Sequence, residues 1–503
     1  MDSRKNYVVA VDVGSSEVVI AVGSMAEGGT VNIETVVAEP LTGVSAGLVE
    51  NSQTVAEALR RARVRAEQEV GVAITDAYVT ISGRFVRCAR YTDHVFVEDN
   101  ENRISQRDLA ALRERMLNVK AGAGEVIMDL FPLCYKSDIG TELQNPVGCY
   151  SKQLSSTYNF ILCEDTAKDR LRRVFLDVGI KIRSMFAGAS VMAKSLVTSD
   201  EKEDGVAIVD IGSGVTDLAI YRGGVLCYIA SIPMGGSALN NDILGYDNNI
   251  PSRMVENLKK QCGSAVVELT PDDMIQVRNR GRAIKPIPRL NLAAVIEARM
   301  TDIAEYVWNE IREAGYAKKL GAGIVLTGGG ANLKNVGELF HRITEQEVRV
   351  ACAEIGVATE ALEKYASPSY TMALSLLLHG AEVGPCPVGV LIQRPAEPKT
   401  ELKAEPVKPV EPAQPAKPAQ PKVTPQPQVT PQPQPQPQPI QQPAEPNTLK
   451  GEDDNYGDDI TDGDDDVKPG RGGWFRGWGG KIKRAFTEAF PEPGEDVDGD
   501  DEY

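Results

Sequence analysis

Two stretches far apart in the chain are written to one plan. "VAVDVGSSEVVIAVG" (Val9–Gly23) and "AIVDIGSGVTDLAIYRGG" (Ala207–Gly224) each begin with an apolar, β-branched run that ends in Asp. A Gly/Ser turn follows, then a second apolar run. Such runs favour strands, and the turn folds the second back on the first as a hairpin. The continuations have the same form, "SEVVIAVGSMAEGGTVNIETVVAEP" in the first copy and "GVTDLAIYRGGVLCYIASIP" in the second. A chain that opens two sheets in the same way is constrained to a duplicated α/β fold, with a cleft between two lobes.

The turns also carry chemistry. Asp12 closes a strand, and Gly14 permits a tight turn. The backbone N–H groups that follow, at Ser15 and Ser16, can point into a concavity suited to phosphate. A carboxylate placed there holds Mg2+ through water, the usual arrangement for phosphate-bound magnesium. The second copy supplies Asp210 at the matching place, with Gly212, Ser213 and Gly214 in the turn. Two such hairpins facing one another would clamp the β- and γ-phosphates from opposite sides. A third element, "GAGIVLTGGGANL" (Gly321–Leu333), is an apolar strand running into Gly328, Gly329 and Gly330. Glycines there let backbone lie flat against a nucleoside. Any one of these elements reads equally well as a plain tight turn; the three in this order point to a nucleotide.

Helical segments fill the space between. "TVAEALRRARVRAEQEVG" ends on a glycine stop, and "RDLAALRERMLNVKA" and "DTAKDRLRRVFLDVG" are amphipathic. Leu171, Val174, Phe175 and Val178 form the apolar stripe of the last. "LAAVIEARMTDIAEYVWNEIREAG" places Val295, Ile296, Ile303, Val307 and Ile311 on one face, expected to be core packing.

At 503 residues the chain is too long for one core. A net charge of −17 argues against nucleic acid as a partner. The eight cysteines contain no CxxC pair and there are three histidines, so scattered reduced thiols are expected rather than a zinc site. The N-terminal apolar run is too short for a signal peptide, and no run of 18 apolar residues exists, so a cytoplasmic protein is expected. Residues 1–385 read as folded. From 386 to 470 the composition turns to Pro/Gln repeats and then an acidic run, too poor in apolar surface to fold. About 85 such residues reach roughly 50 Å as a coil and roughly 250 Å extended.

The ordered set of motifs is that of the actin–Hsp70–sugar kinase superfamily. More closely, the chain resembles the bacterial FtsA family of cell-division proteins. The resemblance covers residues 6 to about 380. It rests on "AVDVGSS", "NPVGCY" (Asn145–Tyr150), Met185–Gly236, "VENLKKQCG", "LAAVIEAR", "VLTGGGANL" and "SPSYTMALSLL" (Ser367–Leu377), in that order. It implies an α/β, actin-like, two-lobed nucleotide-binding fold built of duplicated ribonuclease H-like domains. The first lobe would be 1–83 and 164–204, with a small inserted α/β domain at 84–163. The second would be 205–385, ending in a helix that crosses between lobes. The insert would contact neighbouring subunits and other division proteins.

Carried over motif by motif, Asp12, Gly14, Ser15 and Ser16 form one phosphate clamp. Asp210, Gly212, Ser213, Gly214 and Thr216 form the other, and Asp12 and Asp210 hold Mg2+ through water. Gly235 and Gly236 lie by the cleft. Glu256 and Lys259 border ribose and adenine, unless they are an exposed helix pair. Gly328, Gly329 and Gly330 pack on the adenosine. Two departures stand out. The crossing element that in actin carries a water-positioning Gln or Glu here carries Ala187, so ATP binding with slow or absent hydrolysis is expected. Asn240 stands where the family more often has Thr.

The end of the chain adds a device of its own. On a helical wheel Trp474, Phe475, Trp478, Ile482, Phe486 and Phe490 fall within an arc of roughly 160°. Arg476, Lys481, Lys483 and Arg484 fall on the other side. Residues 471–490 therefore read as an in-plane helix for anionic membrane lipid, followed by an acidic end at 491–503; a short partner-binding helix is the alternative. The FtsA family has such a helix after a linker. With it the resemblance implies a peripheral protein on the cytoplasmic face of the inner membrane at the division septum. That protein would self-associate and hold the C-terminal peptide of FtsZ. Arg278, Arg280 and Arg282, in the basic stretch "RNRGRAIKPIPR", are the candidate docking residues; a solvated basic loop is the other reading. Rival functions are a pilus-assembly-type actin-like ATPase and a metabolic kinase of the same superfamily.

Overall fold

The computed structural model describes residues 6–25, 30–143, 145–247, 250–278, 284–358 and 363–390. The membrane segment Trp474–Phe490, the linker beyond 390, and Arg280 and Arg282 lie outside the described residues.

The first lobe is built on strands β1 (Tyr7–Val13), β2 (Glu17–Met25), β3 (Val31–Pro40), β4 (Asp76–Ile81) and β5 (Lys181–Ala187). The second is built on β6 (Val206–Ile211), β7 (Thr216–Arg222), β8 (Val225–Ile232), β9 (Ile324–Thr327) and β10 (Val348–Val350). The sheet orders are β3-β2-β1-β4-β5 and β8-β7-β6-β9-β10. The first three strands of each form an antiparallel meander, and the last two pair in parallel. The faint repeat in the sequence is thus a duplication of whole sheets. Both opening strands are buried through their centres, which is why they read as continuous apolar runs rather than alternating ones.

Helices cover these sheets, with cores on either side. Helix α1 (Ser52–Val70) starts where the Asn51 side chain accepts the backbone N–H groups of Gln53 and Thr54. It stops at Gly71, whose φ of 79° is left-handed. Helix α2 (Asp165–Val178) buries the expected Leu171, Val174, Phe175 and Val178. In the second lobe α3 (Gly236–Tyr246) and α4 (Ser252–Cys262) border the cleft. The long α5 (Arg289–Glu313) buries Val295, Ile296, Ile303, Val307 and Ile311 as expected. Helix α6 (Val336–Thr344) follows β9. A separate four-stranded sheet lies between β4 and α2, formed by Val86–Phe96, Glu125–Lys136, Glu142–Leu143 and Gln153–Glu164. With helix Gln106–Leu117 it encloses its own small core of Ile104, Leu112, Met116, Leu154, Tyr158, Phe160 and Leu162.

Two features mark the end of the second lobe. The last helix, α7 (Thr371–Val383), follows the second lobe in the chain, but Met372, Leu374, Leu376 and Leu377 are buried in the same core as β1 and β2. Chain order groups it with the second lobe, and its buried face reaches the core of the first. The fold also continues past 385, where the linker was expected to begin. The Cys386 N–H donates to the Tyr7 carbonyl, and Val388–Val390 pairs with Val72–Ile74. Composition registers the start of the proline repeats, not a short strand held by a partner more than 300 residues earlier.

Candidate nucleotide cleft

Each opening hairpin turns in the same way. The Gly14 N–H donates to the Glu17 carbonyl at 3.0 Å, and the Gly212 N–H donates to the Val215 carbonyl at 2.9 Å. Asp12 pairs with Val19 and Asp210 with Asp217, one residue before each turn begins to close. The two turns approach one another so nearly that a Cβ on Gly214 would lie 2.3 Å from Ser15 Oγ. The third element comes in beside them. Gly328 has a left-handed φ of 84°, and a Cβ there would sit 2.0 Å from Asp210 Oδ1. No side chain fits at that position, so backbone and carboxylate share one wall.

Together they bound a cavity of about 410 Å3, within the range of small-molecule and cofactor sites. Of the residues singled out in the sequence, Asp12, Gly14, Ser15 and Ser16 line it from the first lobe. Asp210, Gly212, Ser213, Gly236, Glu256, Lys259 and the three glycines 328–330 line it from the second. Gly214, Thr216 and Gly235 stand behind the wall. Thr216 is fully buried, and its hydroxyl donates to the Met234 carbonyl at 2.8 Å. That bond ties the second hairpin to the loop holding Gly235, and the Gly236 N–H donates to the Gly212 carbonyl at 2.9 Å.

Glu256 and Lys259 form no simple exposed pair. Lys259 Nζ lies 2.7 Å from Glu256 Oε2 and also donates to the Gly236 carbonyl at 3.0 Å. Asn240 Nδ2 donates to the same carboxylate at 2.8 Å, so the departure from Thr at this position has a defined role in holding Glu256. Burial opposes the charge on Glu256, yet bonds from Lys259 and Asn240 keep its carboxyl below the ordinary range. Burial also lowers the Lys259 ammonium.

At the floor Asp12 and Asp210 meet without a counter-charge, with a third carboxylate, Asp217, buried behind them. Burial pushes Asp12 up to about 6, the Thr80 hydroxyl works against this with a 2.5 Å bond, and Asp217 adds repulsion. Burial lifts Asp217 to about 6, opposed by bonds with Ser231 and Ser82. Asp210 is raised well above the usual carboxylate range, by burial first and then by Asp217 and Asp12. Such a trio favours either protons or a cation. Among the described residues no three Asp, Glu, His or Cys side chains converge closely enough to hold a metal directly. The carboxylates of Asp12 and Asp210 are oxygen donors of the kind that hold Mg2+ through water.

Asp217 was not singled out in the sequence, although counting back across the β6–β7 hairpin places it opposite Asp210. Glu17, Lys260, Leu239, Met300, Ser367 and Ser369 also line the cavity. No local signal marks the last two, which arrive from the approach to α7. Ala187 ends β5, is buried, and offers no polar group. Arg278 ends strand Met274–Arg278, paired with Ile284, and its side chain lies outside the description.

Comparison with known proteins agrees with this architecture. The family profile described as "Cell division protein FtsA" matches residues 207–375. Cell division protein FtsA of Escherichia coli K12 is 29% identical over 388 residues, covering 75% of this chain and 91% of that protein. Its counterpart in Buchnera aphidicola is 28% identical over 359 residues, covering 69% of this chain and 84% of its own length. Among solved structures, a chain of the PilM-PilN type IV pilus biogenesis complex superposes with a TM-score of 0.51 at 14% identity, covering 74% of this chain and 98% of that one. At that identity the likeness is one of fold.

Proposed function

The chain belongs to the FtsA family of cell-division proteins, and from that premise we propose that it is an ATP-binding, actin-like membrane adaptor for the division ring. One observation supports this most directly: two matched carboxylate hairpins and a glycine loop, drawn from three parts of the chain, wall a single cavity. In this reading the N–H groups of Ser15, Ser16 and Ser213 face the phosphates, because those of Gly14 and Gly212 are held within their turns, and Asp12 and Asp210 orient water around Mg2+. Glu256 and Lys259 border the ribose, and residues 328–330 lie against the adenosine. The Mg2+ that accompanies ATP would supply the positive charge that the three carboxylates lack. Hydrolysis is slow or absent, because Ala187 cannot position water.

ATP-loaded subunits self-associate on the cytoplasmic face of the membrane. There the segment Trp474–Phe490 binds anionic lipid and the folded body holds the C-terminal peptide of FtsZ. A single amphipathic segment binds weakly, whereas an array of them on long linkers binds with avidity. No helix among the described residues is long and apolar enough to cross a membrane. The test is co-sedimentation with anionic liposomes, with and without ATP, of the full chain and a chain ending at Gly470. The full chain should pellet, more so with ATP, and the shortened chain should stay in solution. Equal pelleting of both would remove the tether from the mechanism.

A further inference from the structure

Four charged side chains line the cleft beyond Asp12 and Asp210, and one of them lacks a partner. Glu256, Lys259 and Lys260 project from α4 in the second lobe; Glu17 opens β2 in the first. Lys260 Nζ stands 3.3 Å from Glu256 Oε1, one turn back on its own helix. Glu256 therefore carries two lysines, since Lys259 is on its other oxygen at 2.7 Å. Glu17 makes no ion pair within 4 Å among the described residues. It is nevertheless partly buried in the cavity wall. Burial raises its carboxyl above the ordinary range; across the cleft Lys260 opposes that rise and Glu256 adds to it. An unpaired, desolvated carboxylate beside a phosphate site is costly in isolation. Its cost is relieved if a cation crosses to it.

Lys260 is placed to do so. It is mostly exposed, on a long flexible stem, and its partner Glu256 is already satisfied by Lys259 and Asn240. We propose that Lys260 exchanges Glu256 for Glu17 when a nucleotide fills the cavity, so that Glu17 and Lys260 form a latch between the lobes. This rests on the nucleotide-binding reading of the cleft. A ribose hydroxyl donating to Glu256 takes the place that Lys260 leaves, and the freed ammonium neutralises Glu17. The latch then forms only over an occupied site, and its effect falls on nucleotide release rather than on encounter. Glu17 is a positioning residue here: it acts through Lys260.

The experiment is release of radiolabelled, otherwise unmodified ATP with Mg2+ from the full chain, chased with excess unlabelled ATP so that the ribose hydroxyls stay free, using Glu17→Gln, Lys260→Met and the exchange Glu17→Lys/Lys260→Glu. Each single variant should release nucleotide about tenfold faster, in line with ordinary coupling between sites. The exchange should return most of that loss. Glu17→Gln should also leave the nucleotide-free melting temperature unchanged or raised, because it removes an unpaired, partly buried charge. A structural role would lower it. Release within twofold of the parent in Glu17→Gln, or no recovery in the exchange, overturns the latch. If the parent chain does not bind the probe at all, the nucleotide-binding reading itself fails, a result distinct from either.

Discussion

The two lobes present the same carboxylate on the same strand of the same sheet, yet treat it differently. In each, the fourth strand in the parallel pair carries a threonine at the register of the aspartate. Thr327 pairs with Asp210 directly, and Thr80 follows the pairing of Val11 with Val79 to stand beside Asp12. Thr80 gives its hydroxyl proton to Asp12. Thr327 gives its own to Thr371 of the last helix, at 2.9 Å. Asp12 is thus steadied from within its sheet, while Asp210 meets Gly328 and two other carboxylates. Duplication copies the scaffold, but the helix that returns from the far end of the chain takes one hydrogen bond away. The lesson is that pseudo-symmetric sites become unequal through their neighbours, not through their motifs.

The comparison can be broken most severely at the glycines. Gly328→Val puts branched carbon where Asp210 Oδ1 lies 2.0 Å from an ideal Cβ, on a left-handed backbone. It should cost at least about 3 kcal/mol of stability, seen as a large fall in melting temperature. Gly14→Ala, whose Cβ would meet only the Glu17 carbonyl at 3.0 Å, should cost about 1 kcal/mol. Equal losses would mean the glycine loop beside Asp210 is packed no more tightly than the turn after Asp12.

The threonines separate the aspartates more finely. Thr80→Val removes the bond that favours ionised Asp12, so Mg2+–ATP affinity at neutral pH should drop about tenfold, as for a hydrogen bond to a charged group. Thr327→Val should change it by less than about twofold, since its hydroxyl serves Thr371. Calorimetric titration of both variants checks this; matched losses would erase the asymmetry.

The smallest effect is in pH. Asp12 and Asp217 sit at about 6, above their unfolded values. The stability they confer on the nucleotide-free protein is full below about pH 4 and is lost as pH rises through about 6. Mg2+ needs the ionised forms, so its binding should release protons and weaken as pH falls through 6. Titration in buffers of different ionisation enthalpy measures that release. Proton uptake on binding would contradict the assignment of Asp12 to the metal.

Much of this was legible before any coordinates. Apolar runs ending in Asp and a glycine turn can form little but buried hairpins, so the two hairpins and the α/β class followed from local chemistry. Residues 328–330 stood out as glycines able to lie flat against a nucleoside, whereas the approach of Gly328 to Asp210 came only with the fold. Hydrophobic periodicity likewise determined the buried faces of α2 and α5. What the tertiary structure decided was partnership over long separations. It buried Asp217 as a third carboxylate behind the floor, bound Asn240 to Glu256, and placed Ser367 and Ser369 in the wall. It returned α7 and Val388–Val390 to the first lobe, and it set Glu17 opposite Lys260. Each of these depends on which strand or helix lies alongside, a fact of packing that no window of the sequence contains.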